Sequence, residues 1–154
     1  MFNYHAAQKA LEAYIEAEKK YFDQKETGDE DALMAEMNEA KSLIVSELSW
    51  IYNKDSRTIG TMLDVNRKEV KAAMEKAHEE MLSEYGSVLF EGEEYELIQQ
   101  AYYNEATGDE YQAHAFDKYG EEFYVFWNIK NPEAEEEEDM CDWDNPTRVS
   151  RITG

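Results

Sequence analysis

The residues of this chain that carry reactive groups are few and dispersed. Three histidines, His5, His78 and His114, fall in three different segments, and none has a second ligand at the sequence spacing a transition-metal site needs. His78 reads as a helix-surface residue, and His114 as a strand residue between Ala113 and Ala115. The single cysteine, Cys141, lies between Met140 and Asp142, and neighbouring acids disfavour a thiolate, so it reads as a poor nucleophile. Asp139, Asp142, Asp144 and Asn145 offer hard oxygen ligands, but they lack the alternating ligands and central glycine of a calcium-binding loop. No glycine-rich phosphate loop or nucleophile elbow occurs. The expectation is a protein that is not an enzyme, with no catalytic residue, no metal and no cofactor. Trp50 and Trp127 read as core residues rather than as cofactor contacts.

Charge is the stronger signal. The 154 residues carry a formal net charge of −21, from 36 acids against 15 bases. Residues 1–85 hold 18 acids and 11 bases, a net of −7, whereas residues 86–154 hold 18 acids and 4 bases, a net of −14. Within the first part, residues 54–76 carry six bases and four acids and form a net-positive island.

That island coincides with TIGTMLDVNRKEVKAAM, residues 58–74. Ile59 and Leu63 have the spacing of inward residues on a first short helix, with Gly60 as the small residue where a second helix crosses. Val65 is placed to plug the turn, while Val70 and Ala73 anchor the second helix. Arg57, Asn66, Arg67, Lys68 and Lys71 are then left to face a polyanion. The segment resembles the helix-turn-helix units of phage repressors and sigma-like regulators over about 20 residues. It departs from them at Asp64, where the turn usually has glycine. The resemblance implies DNA binding through these five residues.

The acids suggest a different partner. A protein that occupies the nucleic-acid groove of another protein needs carboxylates on a rigid surface, where they stand in for phosphates before Lys and Arg side chains. Glu91, Glu93, Glu94, Glu121, Glu122, Glu135, Glu136, Glu137, Glu138, Asp142 and Asp144 supply the charge, and Trp143 supplies an aromatic anchor. This composition is similar to that of phage anti-restriction and anti-CRISPR proteins that mimic DNA. The resemblance implies a phage-type inhibitor that binds a basic nucleic-acid-binding protein, such as a CRISPR or restriction nuclease. Two alternatives stand beside it: a helix-turn-helix transcriptional regulator, and an acidic structural or adaptor protein.

The elements that must position these residues divide into two kinds. A helix is expected from about residue 4 to 25, ended by Gly28 and Asp29. Leu33, Met37, Ala40, Ile44, Leu48 and Ile51 step by three and four, the spacing of a buried helical stripe. A short helix over 57–63 follows, and Asn66 with Glu69 opens a last one that runs to Gly86. Beyond Gly86, segments 95–103, 111–116 and 123–129 alternate with turn signals at 106–109 and 117–120, which predicts an antiparallel meander with TRVSRIT as a last strand. FYVFWNI, apolar throughout, is expected to be a central strand covered on one side by the helices and on the other by a second copy, a possible homodimer. The run Glu133–Asp139 is expected to be solvated or disordered, and Trp143 either tucks back onto the sheet or awaits a partner. The fold class is therefore α+β: a helical, helix-turn-helix-like subdomain at 1–86 and a small antiparallel β subdomain at 87–154. One cysteine and no signal-peptide or membrane pattern lead us to expect a cytoplasmic protein, and the resemblance to phage proteins implies that the cytoplasm is that of a bacterial host.

Overall fold

A computed structural model describes residues 1–24 and 30–153 and gives an α+β fold, four helices followed by a six-stranded antiparallel sheet. The break expected at Gly28 and Asp29 lies outside the described residues. Helices α1 (Tyr4–Gln24), α2 (Glu30–Leu48), α3 (Ser56–Val65) and α4 (Arg67–Tyr85) precede strands β1 (Ser87–Phe90), β2 (Glu93–Leu97), β3 (Tyr102–Tyr103), β4 (Glu110–Phe116), β5 (Glu122–Asn128) and β6 (Arg148–Arg151). The chain divides into two compact units, Met1–His78 and Glu79–Gly154. The division falls inside α4 rather than at Gly86. Part of the reason is local: the Gly86 carbonyl accepts from Leu97 N–H at 3.0 Å, which ties the end of α4 to the sheet.

In the first unit α1 opens on Asn3, whose side chain accepts from Ala6 N–H at 3.1 Å while its own N–H donates to Glu47 of α2 at 2.9 Å. Such a cap is worth about 1 kcal/mol. The α2 stripe is buried at Leu33, Ala40, Ile44 and Leu48, as its spacing predicts; Met37 is half-buried, and Ile51 lies just past the helix end. Leu11, Tyr14, Ile59, Leu63, Val70 and Met74 complete this core. Trp50 departs from the expectation. It is 63% exposed, because α2 ends at Leu48 and the turn that follows carries the indole outward.

The second unit is a sheet of order β1-β2-β4-β5-β6, with β3 paired to the start of β4. The segment read as one strand over 95–103 is split between β2 and β3, and β1 lies in a stretch where no strand is expected. The β1–β2 hairpin turns on Glu91 and Gly92, both at positive φ (51° and 82°), the backbone of a primed turn that matches strand twist. Glutamate rarely takes that conformation, so the turn carries no familiar sequence signal.

β5 lies between β4 and β6, and both its faces are buried: Val125 and Trp127 on one, Phe126 on the other. The first face joins a core with Val88, Tyr95, Tyr111, Ala113, Ala115 and Cys141, against which Met140 and Trp143 pack. On the second, the Arg148 guanidinium sits 3.6 Å from the Phe126 ring centroid.

Candidate functional site

The acids named from sequence fall into two groups, and strand register separates them. Phe90 pairs with Glu93, so Glu91, Glu93 and Glu94 surround the β1–β2 turn. Glu96 of β2 pairs with Phe116 at the end of β4, which sends Glu93 and Glu94 beyond that strand toward the β4–β5 turn. Glu122 pairs with Phe116 from the other side, so Glu121 and Glu122 stand at the same sheet end. Asp117 Oδ1 holds that turn by accepting from Tyr119 and Glu121 N–H, both at 2.9 Å. Burial pushes the Tyr95 hydroxyl pKa up, and the charges of Glu93, Asp117 and Glu91 raise it further, as convergence of the acids requires. Glu91, Glu93, Glu94 and Glu122 are exposed, while Glu121 is half-buried and paired with Arg151 at 2.8 Å.

Glu135, Glu136, Glu137, Glu138, Asp142 and Asp144 lie at the opposite end, in the segment between β5 and β6. β4 spans seven residues between the two groups, a length of about 20 Å at 3.3 Å per residue. The far segment is built, not loose. Glu137–Asp139 form a short 3-10 turn whose acids stay exposed. The Met140 carbonyl accepts from Lys130 and Asn131 N–H at 2.8 and 3.1 Å, and the Cys141 thiol is buried beside the Trp127 carbonyl. Trp143 tucks back onto the sheet: its Nε1–H donates to the Glu138 carbonyl at 3.0 Å, and its own carbonyl accepts from Trp127 Nε1–H at 3.0 Å. Its ring meets those of Tyr111 and Trp127 at 5.4 Å. Trp143 is therefore half-buried and fixes the acids around it. Asp142 accepts from Asn145 at 3.0 Å. Burial pushes the Cys141 thiol pKa up, so its environment rather than its acidic neighbours sets its low reactivity.

One acid that the sequence reading left aside is structural. Glu110 is 4% exposed, accepts from Arg148 at 2.6 Å and from Asn104 at 3.1 Å, and so holds β6 to the rest of the sheet.

The helix-turn-helix-like segment is only partly assembled as read. Ile59, Gly60, Leu63 and Val70 are buried and Ala73 is half-buried. The junction between α3 and α4 is a single residue, Asn66, where such motifs usually carry three or four. Val65 does not plug it. α3 continues through Val65, about 200° around the helix from buried Leu63, which leaves Val65 72% exposed. Asp64 is helical rather than left-handed and accepts from Tyr14 Oη at 2.7 Å and Lys41 Nζ at 2.5 Å. Burial raises the Asp64 pKa, but these two hydrogen bonds and the charges of Lys41 and Arg67 outweigh it and hold the carboxyl below its usual range. Arg67, read as exposed, is half-buried in a two-pronged pair with Glu18 at 3.2 Å and over the Tyr14 ring at 5.3 Å. Arg57, Asn66, Lys68 and Lys71 are exposed as expected.

The histidines also depart from the sequence reading. The first turn of α1 and the middle of α4 bring the His5 and His78 rings to 5.1 Å, with Tyr4 stacked on His78 at 4.2 Å, so the two are not isolated. His114 stands apart, tilted against Tyr124 at 4.5 Å.

Compared with protein-family models, curated proteins and solved structures, the chain matches none of them. Among the described residues no helix is long and apolar enough to cross a membrane.

Proposed function

We propose that this protein is a non-enzymatic inhibitor that binds a basic nucleic-acid-binding protein, in the manner of phage anti-CRISPR and anti-restriction proteins, with its acids in place of DNA phosphates. The observation that carries the reading is the placement of exposed carboxylates at both ends of one sheet. Glu91, Glu93, Glu94 and Glu122 stand at one end and Glu135–Glu138 at the other, on turns pinned by hydrogen bonds and by Trp143. A separation of about 20 Å is roughly six base-pair steps at 3.4 Å each, a length over which a DNA-binding groove makes several phosphate contacts. Because the acids are held before the partner arrives, little ordering cost opposes their charge-assisted hydrogen bonds.

The regulator reading loses one of its bases, since Arg67 is engaged by Glu18, but retains exposed Arg57, Lys68 and Lys71. A gel-shift titration with duplex DNA at about 50 mM salt separates the two readings, because phosphate contacts weaken steeply as salt rises. The inhibitor reading expects no shift by the wild type. Tight, salt-sensitive binding that an Arg57→Glu/Lys68→Glu/Lys71→Glu variant abolishes overturns it in favour of a regulator.

A further inference from the structure

The first unit holds a groove that the acidic surface leaves unused. It lies between α2 and α3, has a volume of about 760 Å³, and is backed by Gly60, where an added Cβ would come within 3.3 Å of Lys41 Cε. Its lining contains no carboxylate, in a chain with 36 acids. Instead it presents Asn38, Ser42, Ser46, Ser56, Arg57 and Lys41. The Asp64 carboxylate balances Lys41 from outside the lining, but Arg57 is exposed and has no acidic partner among the described residues. Two further hydroxyls are already committed, Ser49 to the Ser46 carbonyl at 2.6 Å and Thr61 to the Arg57 carbonyl at 3.1 Å. Among the described residues, the hydroxyls of Ser42, Ser46 and Ser56 have no acceptor. The α3 N-terminus is itself capped by Asp55, which accepts from Thr58 N–H at 2.8 Å, so an anion here is held by side chains.

We infer that this groove binds the phosphate group of a small phosphorylated molecule. A tetrahedral oxyanion offers acceptors only, and the free groups around the groove include hydroxyl and amide donors and an unpaired guanidinium fork, the geometry suited to bidentate phosphate binding. Asn38 and Ser46 are eight residues apart on α2, about 12 Å along the helix, so the groove is long enough for the phosphate and the body that carries it. The lining itself holds no acid, and the flanking carboxylates of Asp55 and Asp64 are each engaged, by Thr58 and by Lys41, so repulsion is weaker here than over the acidic surface elsewhere.

The test is an amide chemical-shift titration of the full chain with sodium pyrophosphate and with ribose 5-phosphate, at ionic strength held constant by sodium chloride. Saturable shifts confined to residues 38–49 and 56–61 are expected for both probes. Arg57→Glu and Ser46→Glu, both at exposed positions, should each weaken binding by about tenfold or more through the loss or repulsion of one charge-assisted contact. Shifts that stay linear, spread over the sheet or persist in both variants overturn the inference. A short duplex that saturates the same amides at lower concentration than either small probe also overturns it, since the phosphates would then be those of a nucleic acid.

Discussion

Asp64 occupies the position where the sequence motif usually has glycine, and its side chain gathers donors from α1 and α2. Its folded-state pKa is depressed, so it stabilises the protein above the unfolded value of about 3.9 and loses that effect as pH falls through the lower folded value. The Asp64 side chain is 41% exposed, so solvent screens the pair and the contribution is about 1 kcal/mol. Asp64→Asn should lower the urea midpoint at neutral pH, and the gap from wild type should narrow as pH falls from the unfolded value through the depressed folded one, where the native carboxylate protonates. Glu91 offers the opposite case. Its positive φ strains a residue that rarely takes it, and Asn or Gly relieves that strain. Glu91→Gly should therefore raise stability by about 0.5–1 kcal/mol, seen as a thermal midpoint higher by roughly 1–4 °C. The sheet end carrying exposed carboxylates thus contains a strained backbone position whose replacement favours the fold, and the same substitution removes a candidate partner contact.

Elements whose signal is periodic burial were legible in the sequence, and elements whose signal is tertiary were not. The α2 stripe follows from side-chain spacing, because a face that must be buried imposes its period on the sequence, and β4 and β5 follow from apolar and aromatic runs bounded by turn residues. β1 was hidden because Glu91-Gly92 does not look like a left-handed turn, and the 95–103 segment looked continuous because a two-residue strand leaves no period to read. The exposure of Val65 depends on α3 running two residues beyond the 57–63 span read from the sequence. The engagement of Arg67 depends on Glu18, 49 residues away, which no local window shows. At the candidate interface, residue types were legible, but their division between two ends of a sheet required the strand register. The segment between β5 and β6 tests how that division is maintained. Trp143→Ala removes the ring that packs on Tyr111 and Trp127 and the donor to Glu138, and for a half-buried indole this should cost about 2 kcal/mol. Hydrogen exchange should accelerate across residues 135–144, while β4 and β5 amides keep their protection. Equal acceleration in both regions would show that Trp143 supports the whole sheet and not the acidic segment.

For the whole molecule, charge dominates. A net of −21 on 154 residues repels itself, so added salt should stabilise the folded state even though it weakens the individual surface pairs. The thermal midpoint should rise when sodium chloride increases from about 20 mM to about 500 mM, because screening shortens the Debye length well below the size of the protein. The same screening must weaken any complex that rests on carboxylates meeting Lys and Arg. Inhibition by acids that replace phosphates is tested by competition between this protein and a fluorescent DNA duplex for a panel of CRISPR and restriction nucleases, measured by anisotropy at low and high salt. The wild type is expected to displace DNA from at least one member at low salt. Salt should suppress the displacement, and replacing Glu91, Glu93, Glu94, Glu121 and Glu122 by Gln should weaken it by about tenfold or more. Failure to displace DNA from any member, or displacement that the five Gln substitutions leave unchanged, would contradict this mode of inhibition.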